Sequence, residues 1–86
     1  MANIDIYTKD YCPFCHRALA LLKTKNITFN QIRIDENPEF RAPMIERTKG
    51  RSTVPQIFIG EHYVGGCDDL MLLEHQGKLD SLLEKL

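Results

Sequence analysis

Tryptophan is absent from this chain, cysteine occurs only three times, and charge of neither sign prevails. The formal net charge of -1, spread over interspersed acidic and basic residues, leaves no broad basic field for nucleic acid and no acidic tail. No apolar run approaches the roughly 18 residues that a membrane-crossing helix needs, so no membrane role is expected. Residues 1–10 lack the basic, apolar and small-residue succession of a secretion signal and read directly as a strand, so export is not expected. An odd cysteine count, with two of the three close in sequence, suits a secreted disulfide framework poorly and a reducing compartment, the cytoplasm, well. What is present, 86 residues that are 43% hydrophobic, can bury one core, so residues 1–86 are expected to form a single domain, read as a monomer.

Ile4 to Thr8 opens with the alternating Ile4, Asp5 and Ile6 and stops at Lys9 to Tyr11, the pattern of a buried strand running into a loop. Pro13 suits a first helical position, and Cys15, Ala18, Leu19 and Leu22 then recur at helical spacing, which predicts a helix from about 13 to 25. Asn26 can close that helix in a left-handed conformation, and the β-branched stretch Ile27 to Ile34 follows as a second strand. Asn37, Pro38 and Glu39 mark another helix start, with Met44, Ile45 and Thr48 facing inward and Gly50 at the end. Within a regular helix Pro43 would clash with the Glu39 carbonyl at a cost of about 3 kcal/mol, which predicts a kink or a delayed start.

Ile57 to Ile59 and His62 to Val64, separated by Gly60 and Glu61, read as a tight antiparallel hairpin that turns away at Gly65 and Gly66. Asp68 and Asp69 then precede a helix through Leu70, Leu72 and Leu73 to Gly77, and Leu79 to Leu86 offers a last helical turn or two. The order βαβ, α, ββα, with a right-handed crossover, predicts an α/β fold: a four-stranded mixed sheet flanked by helices on both faces.

Cys12 and Cys15 stand three residues apart where the first helix begins, so both side chains fall within one turn and can join with small adjustment. A thiol attacks as its anion, and a helix N-terminus favours negative charge by roughly 0.3 to 2 kcal/mol. Cys12 sits at that terminus, with Lys9 nearby, whereas Cys15 lies a turn inside on the apolar face, where burial disfavours an anion. The pair therefore reads as a redox-active dithiol in which Cys12 attacks and Cys15 resolves. The alternatives are a buried structural pair or half of a zinc site. Zinc would need Cys67 and a histidine to converge on the pair, and His16, His62 and His75 have no paired ligand spacing, so no metal site is expected.

Lys9 with Cys12, Pro13, Phe14 and Cys15, then Thr53, Val54 and Pro55, then Gly65, Gly66, Cys67 and Asp68, together make the chain resemble the glutaredoxins over nearly its whole length, and among them the short bacterial dithiol form. That resemblance implies the thioredoxin-like fold and a glutathione-dependent disulfide oxidoreductase that reduces protein disulfides and glutathione mixed disulfides. It implies a cis peptide bond before Pro55 and a Val54 backbone that pairs with the cysteine of glutathione. By the same resemblance Lys9, with Gln56, would meet the glycine carboxylate, and Phe14 and Thr53 would border the ligand. Gly66, Cys67 and Asp68 would receive the γ-glutamyl end, whose carboxylate suits helix-start N–H groups and whose ammonium suits the Asp68 side chain. Phe14 stands where the family most often has tyrosine, so any contact through that hydroxyl is lost.

Glutathione is thus expected as co-substrate, with no tightly bound cofactor. Disulfide-bonded or glutathionylated proteins are the expected partners, with ribonucleotide reductase and sulfate-reducing enzymes among the family possibilities. Two other functions compete. A redoxin served by thioredoxin reductase would carry a Trp-containing motif near the third helix, and the chain has no Trp. An iron-sulfur carrier built from two chains through Cys12 would, by resemblance, have Gly or Ser in place of Pro13.

Overall fold

The computed structural model describes residues 3–85; Met1 and Ala2, before the first strand, and Leu86, at the end of the last expected helix, lie outside the described residues. The chain runs β1 (Ile4–Thr8), α1 (Pro13–Thr24), β2 (Asn30–Arg33), a 3-10 turn (Pro38–Phe40), α2 (Arg41–Arg47), β3 (Gln56–Ile59), β4 (His62–Gly65), α3 (Cys67–His75) and α4 (Leu79–Glu84). One four-stranded sheet has the order β2-β1-β3-β4. β1 is parallel to β2 and antiparallel to β3, and β3 is antiparallel to β4, with an irregularity between Ile57 and Phe58.

The alternation read in β1 sorts the two faces. Ile4 and Ile6 join Ala18, Leu22, Ile57, Leu70 and Leu79 in a core under α1, α3 and α4. Tyr7 points the other way and packs with Met44 and Phe58, flanked by Ile32, Ile34, Ile45, Val54 and Tyr63, under α2. A period of two thus places helices on both faces of the sheet.

Two expected elements differ in extent. The second strand begins at Asn30 rather than Ile27, because Asp5 opposes Asn30 and β1 has only Ile4 left before it starts. A ladder cannot extend past its partner, so Ile27 and Phe29 pack against the larger core instead. The second helix takes the delayed start: Pro38–Phe40 is a 3-10 turn, and α2 begins at Arg41. Pro43 then lies in the first helical turn, where a missing N–H leaves no helical bond unmade.

Strand direction decides what meets what. β1 and β2 end, β3 begins and β4 ends at the same edge of the sheet, as Tyr7 opposite Gln56 and Ile57 opposite Gly65 require. The segments around Cys12, Val54 and Cys67 therefore converge there. Gly65 makes the last corner at φ +112°, where a Cβ would collide with the Asp69 carboxylate. That carboxylate accepts the Gly66 N–H at 3.0 Å and caps α3.

Gly50 has the same φ of +112° but open space around it. Both Gly→Ala changes should destabilise through backbone strain of about 1–3 kcal/mol. Gly65→Ala should lose about 1 kcal/mol more in urea unfolding, because moving Asp69 also sacrifices the cap. Equal losses at the two positions would show that the Asp69 contact does not matter.

Candidate active site

Cys12 is the N-cap of α1, with extended backbone (φ -120°, ψ 98°), and Pro13 follows at the first helical position. Its Sγ accepts the Cys15 N–H at 3.2 Å and faces the Val54 carbonyl at 3.7 Å, to which the thiol donates. The Val54–Pro55 bond is cis, as the resemblance implies. Both cysteines are free thiols. Cys12 is 6% exposed and Cys15 fully buried. Burial pushes the Cys15 thiol up to about 12, its contact with Cys12 pushes the same way, and the Lys9 backbone N–H opposes them. One motif therefore places two thiols in unlike surroundings.

The loop that delivers Cys12 needs a left-handed residue, Tyr11 at φ +52°, which projects into solvent at 91% exposure. The Asp35 carboxylate accepts the Asp10 N–H at 3.1 Å and so ties this loop to the end of β2. Arg33 holds Asp35 in turn, through Nη2 at 2.6 Å and Nε at 3.2 Å, and keeps its carboxyl well below the usual carboxylate range.

Two hollows flank Val54. One, of about 200 Å³, brings together Phe14, Thr53, Val54, Pro55, Gly66, Cys67 and Asp68. The other, of about 540 Å³, joins Lys9 and Cys12 to Thr53 and Val54 from the opposite side. The residues singled out from the sequence as ligand-binding thus line two grooves that share Thr53 and Val54, with Cys12 in the wall of one. Cys15 lies beneath them in the interior.

The helix cap falls to Asp69, which leaves Asp68 exposed with no side-chain partner among the described residues. Cys67 is 4% exposed and packs in the larger core, and burial raises its thiol. Gln56 lines the first groove as well. Its amide is 1% exposed and already committed, with Nε2 donating to the Thr53 carbonyl and Oε1 accepting from Tyr63, so it is not free for a carboxylate.

Sequence reasoning missed Arg51 and Asp69 in the first groove and Arg41, Asp35 and Tyr11 in the second. Only Asp69 left a signal, an acidic residue three positions after the glycine that precedes the helix. Arg41 became visible once α2 was seen to begin there. Among the described residues no three His, Cys, Asp or Glu side chains are grouped as metal ligands, and no helix is long and apolar enough to cross a membrane.

Comparison with known proteins places these features in company. The glutaredoxin family model matches residues 4–64. The chain is 55% identical over 84 residues to glutaredoxin 3 of Escherichia coli, covering 98% of this chain and 100% of that one. The solution structure of a glutaredoxin from Brucella melitensis is 57% identical and superposes with a TM-score of 0.81, over 96% of this chain and 89% of that one. The crystal structure of a buckwheat glutaredoxin-glutathione complex superposes at 0.86 with 29% identity, over 96% of this chain and 77% of that one.

The unequal thiols generate a direct measurement. Because the folded state keeps Cys15 protonated up to about 12, it offers no thiolate to an alkylating agent near neutral pH. Iodoacetamide at about pH 8 should give one adduct, on Cys12, with Cys15 modified only after unfolding. Two adducts forming at similar rates on folded protein would contradict this assignment.

Proposed function

The chain belongs to the glutaredoxin family and is a thiol-disulfide oxidoreductase, and from that premise we propose that it works with glutathione, using Cys12 as nucleophile and Cys15 as resolving thiol. The observation that carries the reading is the position of the Cys12 sulfur, opposite the Val54 carbonyl in the wall of one of two grooves that meet at Thr53 and Val54. Glutathione is a short peptide with a carboxylate at one end and a carboxylate and an ammonium at the other. Lys9 lies in one groove for the glycine carboxylate. Gly66, Cys67 and Asp68, at the start of α3, lie in the other for the γ-glutamyl end. Between them the Val54 backbone is available to pair with the ligand in β fashion, while Phe14 and Pro55 supply apolar walls.

On a glutathionylated protein, the Cys12 thiolate attacks the glutathione sulfur. The S–S bond breaks, the protein thiolate leaves and takes a proton, and Cys12 carries the glutathionyl group. A second glutathione, as thiolate, attacks that glutathionyl sulfur, giving oxidised glutathione and free Cys12. On a protein disulfide, Cys12 bonds to one substrate sulfur and expels the other. Cys15, held in the same helical turn, then loses its proton, attacks Cys12 and releases the substrate. Two glutathiones reduce the resulting Cys12–Cys15 disulfide.

We read the chain as a monomeric single domain that works in the cytoplasm on glutathionylated or disulfide-bonded proteins, ribonucleotide reductase among the candidates, with glutathione as co-substrate and no tightly bound cofactor. The family supports this reading, and the two grooves that meet at Thr53 and Val54 support its glutathione part.

Incubation with oxidised glutathione followed by mass spectrometry should place the adduct on Cys12. Cys15→Ser should keep most removal of glutathione from a glutathionylated peptide yet lose most reduction of a protein disulfide, whereas Cys12→Ser loses both. If Cys15→Ser abolished both activities equally in a folded protein, the one-cysteine route would be wrong.

Lys9 tests the groove by charge. Lys9→Gln should raise KM for glutathione a few-fold and flatten the salt dependence of turnover, since exposed charges are screened within about 10 Å at 0.1 M salt. Unchanged kinetics and salt response would remove Lys9 from the site.

A further inference from the structure

Residues 51–55 belong to no regular element, yet they present Thr53 and Val54 to both grooves. Something other than a ladder must hold them. We propose that Gln56 is a positioning residue for this edge, acting through a buried hydrogen-bond chain that starts at Tyr63; the proposal rests on the reading of Thr53 and Val54 as the glutathione-binding edge.

Gln56 is the first residue of β3, and its side chain folds back over the segment before it. Nε2 donates to the Thr53 carbonyl at 3.0 Å and lies 3.3 Å from the Thr53 hydroxyl, while Oε1 accepts from the Tyr63 hydroxyl at 2.5 Å. A reversed amide would set its oxygen against the Thr53 carbonyl, acceptor against acceptor, so the orientation is dictated by its neighbours. The amide is 1% exposed, so no solvent replaces a lost partner cheaply.

The far end of the chain is equally fixed. The Tyr63 ring stacks on Phe58 with centroids 4.9 Å apart, and the Arg47 guanidinium covers Phe58 at 3.8 Å. Arg47 is itself anchored on Asp5 at 2.9 Å and on the Tyr7 hydroxyl at 3.3 Å. A rigid aromatic and ionic layer on the α2 face of the sheet thereby ends, through one amide, on the residue before Val54. The Val54 carbonyl faces the Cys12 sulfur at 3.7 Å. A loose Thr53 would blur the ligand edge without altering the helix cap that holds the thiol.

The test compares Tyr63→Phe and Gln56→Met with wild type on one peptide carried either as its glutathione disulfide or as its cysteine disulfide, beside the rate of Cys12 alkylation by iodoacetamide. Both variants should lose about tenfold in kcat/KM toward the glutathionylated peptide, the size of one net hydrogen bond, and so lose preference for it over the cysteinylated one. Alkylation should be unchanged, and the double variant should lose little more than the worse single one, since both act along one chain. Retention of the wild-type preference in both variants, or an equal fall in alkylation and turnover, overturns the positioning role. A wild-type protein with no preference between the two disulfides refutes the glutathione groove itself, and the positioning role with it.

Discussion

The Sγ of Cys12 accepts the Cys15 N–H at 3.2 Å, and the rest of the site is built around that bond. It satisfies one of the donors that every helix start leaves without a partner, while Pro13 at the first helical position brings no N–H to satisfy. The capping geometry also fixes where the sulfur points, toward the Val54 carbonyl. A flexible surface cysteine would have to be ordered at each encounter. Here the helix has ordered it in advance, and the sulfur is part of the structure that places it.

Sheet topology brings three distant segments to that sulfur, but it does so at strand ends, where ladders stop and backbone becomes irregular. Three side chains secure what the ladders do not. Asp35 accepts the Asp10 N–H and holds the loop before Cys12. Gln56 holds Thr53. Asp69 accepts the Gly66 N–H at the start of α3. Each tether is a polar side chain bonded to main chain, which fixes the backbone position, and each belongs to a residue that lines a groove. Apolar packing does the remaining work from below, since the two cores flank the sheet and leave its edge open.

Much of this was legible in the sequence because the signals are local. The alternation in β1, Pro13 at a helix start, Asn26 at a helix end and Gly60 in a tight turn all depend on neighbours a few residues away, and each falls where it was read. Pro43 was legible as a conflict, and the delayed start of α2 resolves it. The extent of β2 was not legible, because it is set by where β1 begins rather than by Ile27 to Phe29 themselves. Tertiary pairings were equally hidden. Gln56 carries the same amide whether it faces a ligand or Tyr63, and only the β3–β4 pairing shows which. Nothing local in the sequence marks Arg41 or Arg51, which only the grooves give a place.

The two cysteines of one helical turn lie in different surroundings. Two thiolates in one helical turn would repel each other, and the second would also have to form in the apolar interior. The fold avoids this by burying Cys15 and raising it to about 12, so that in the resting protein it stays a neutral neighbour of Cys12. Burial is the largest cause of that elevation, and the contact with Cys12 and its charge push the same way. The Lys9 backbone N–H, which favours the Cys15 anion, works against both. The two thiols of one helical turn thus differ in kind: one caps the helix in the wall of a groove, and the other is held neutral in the interior beneath it.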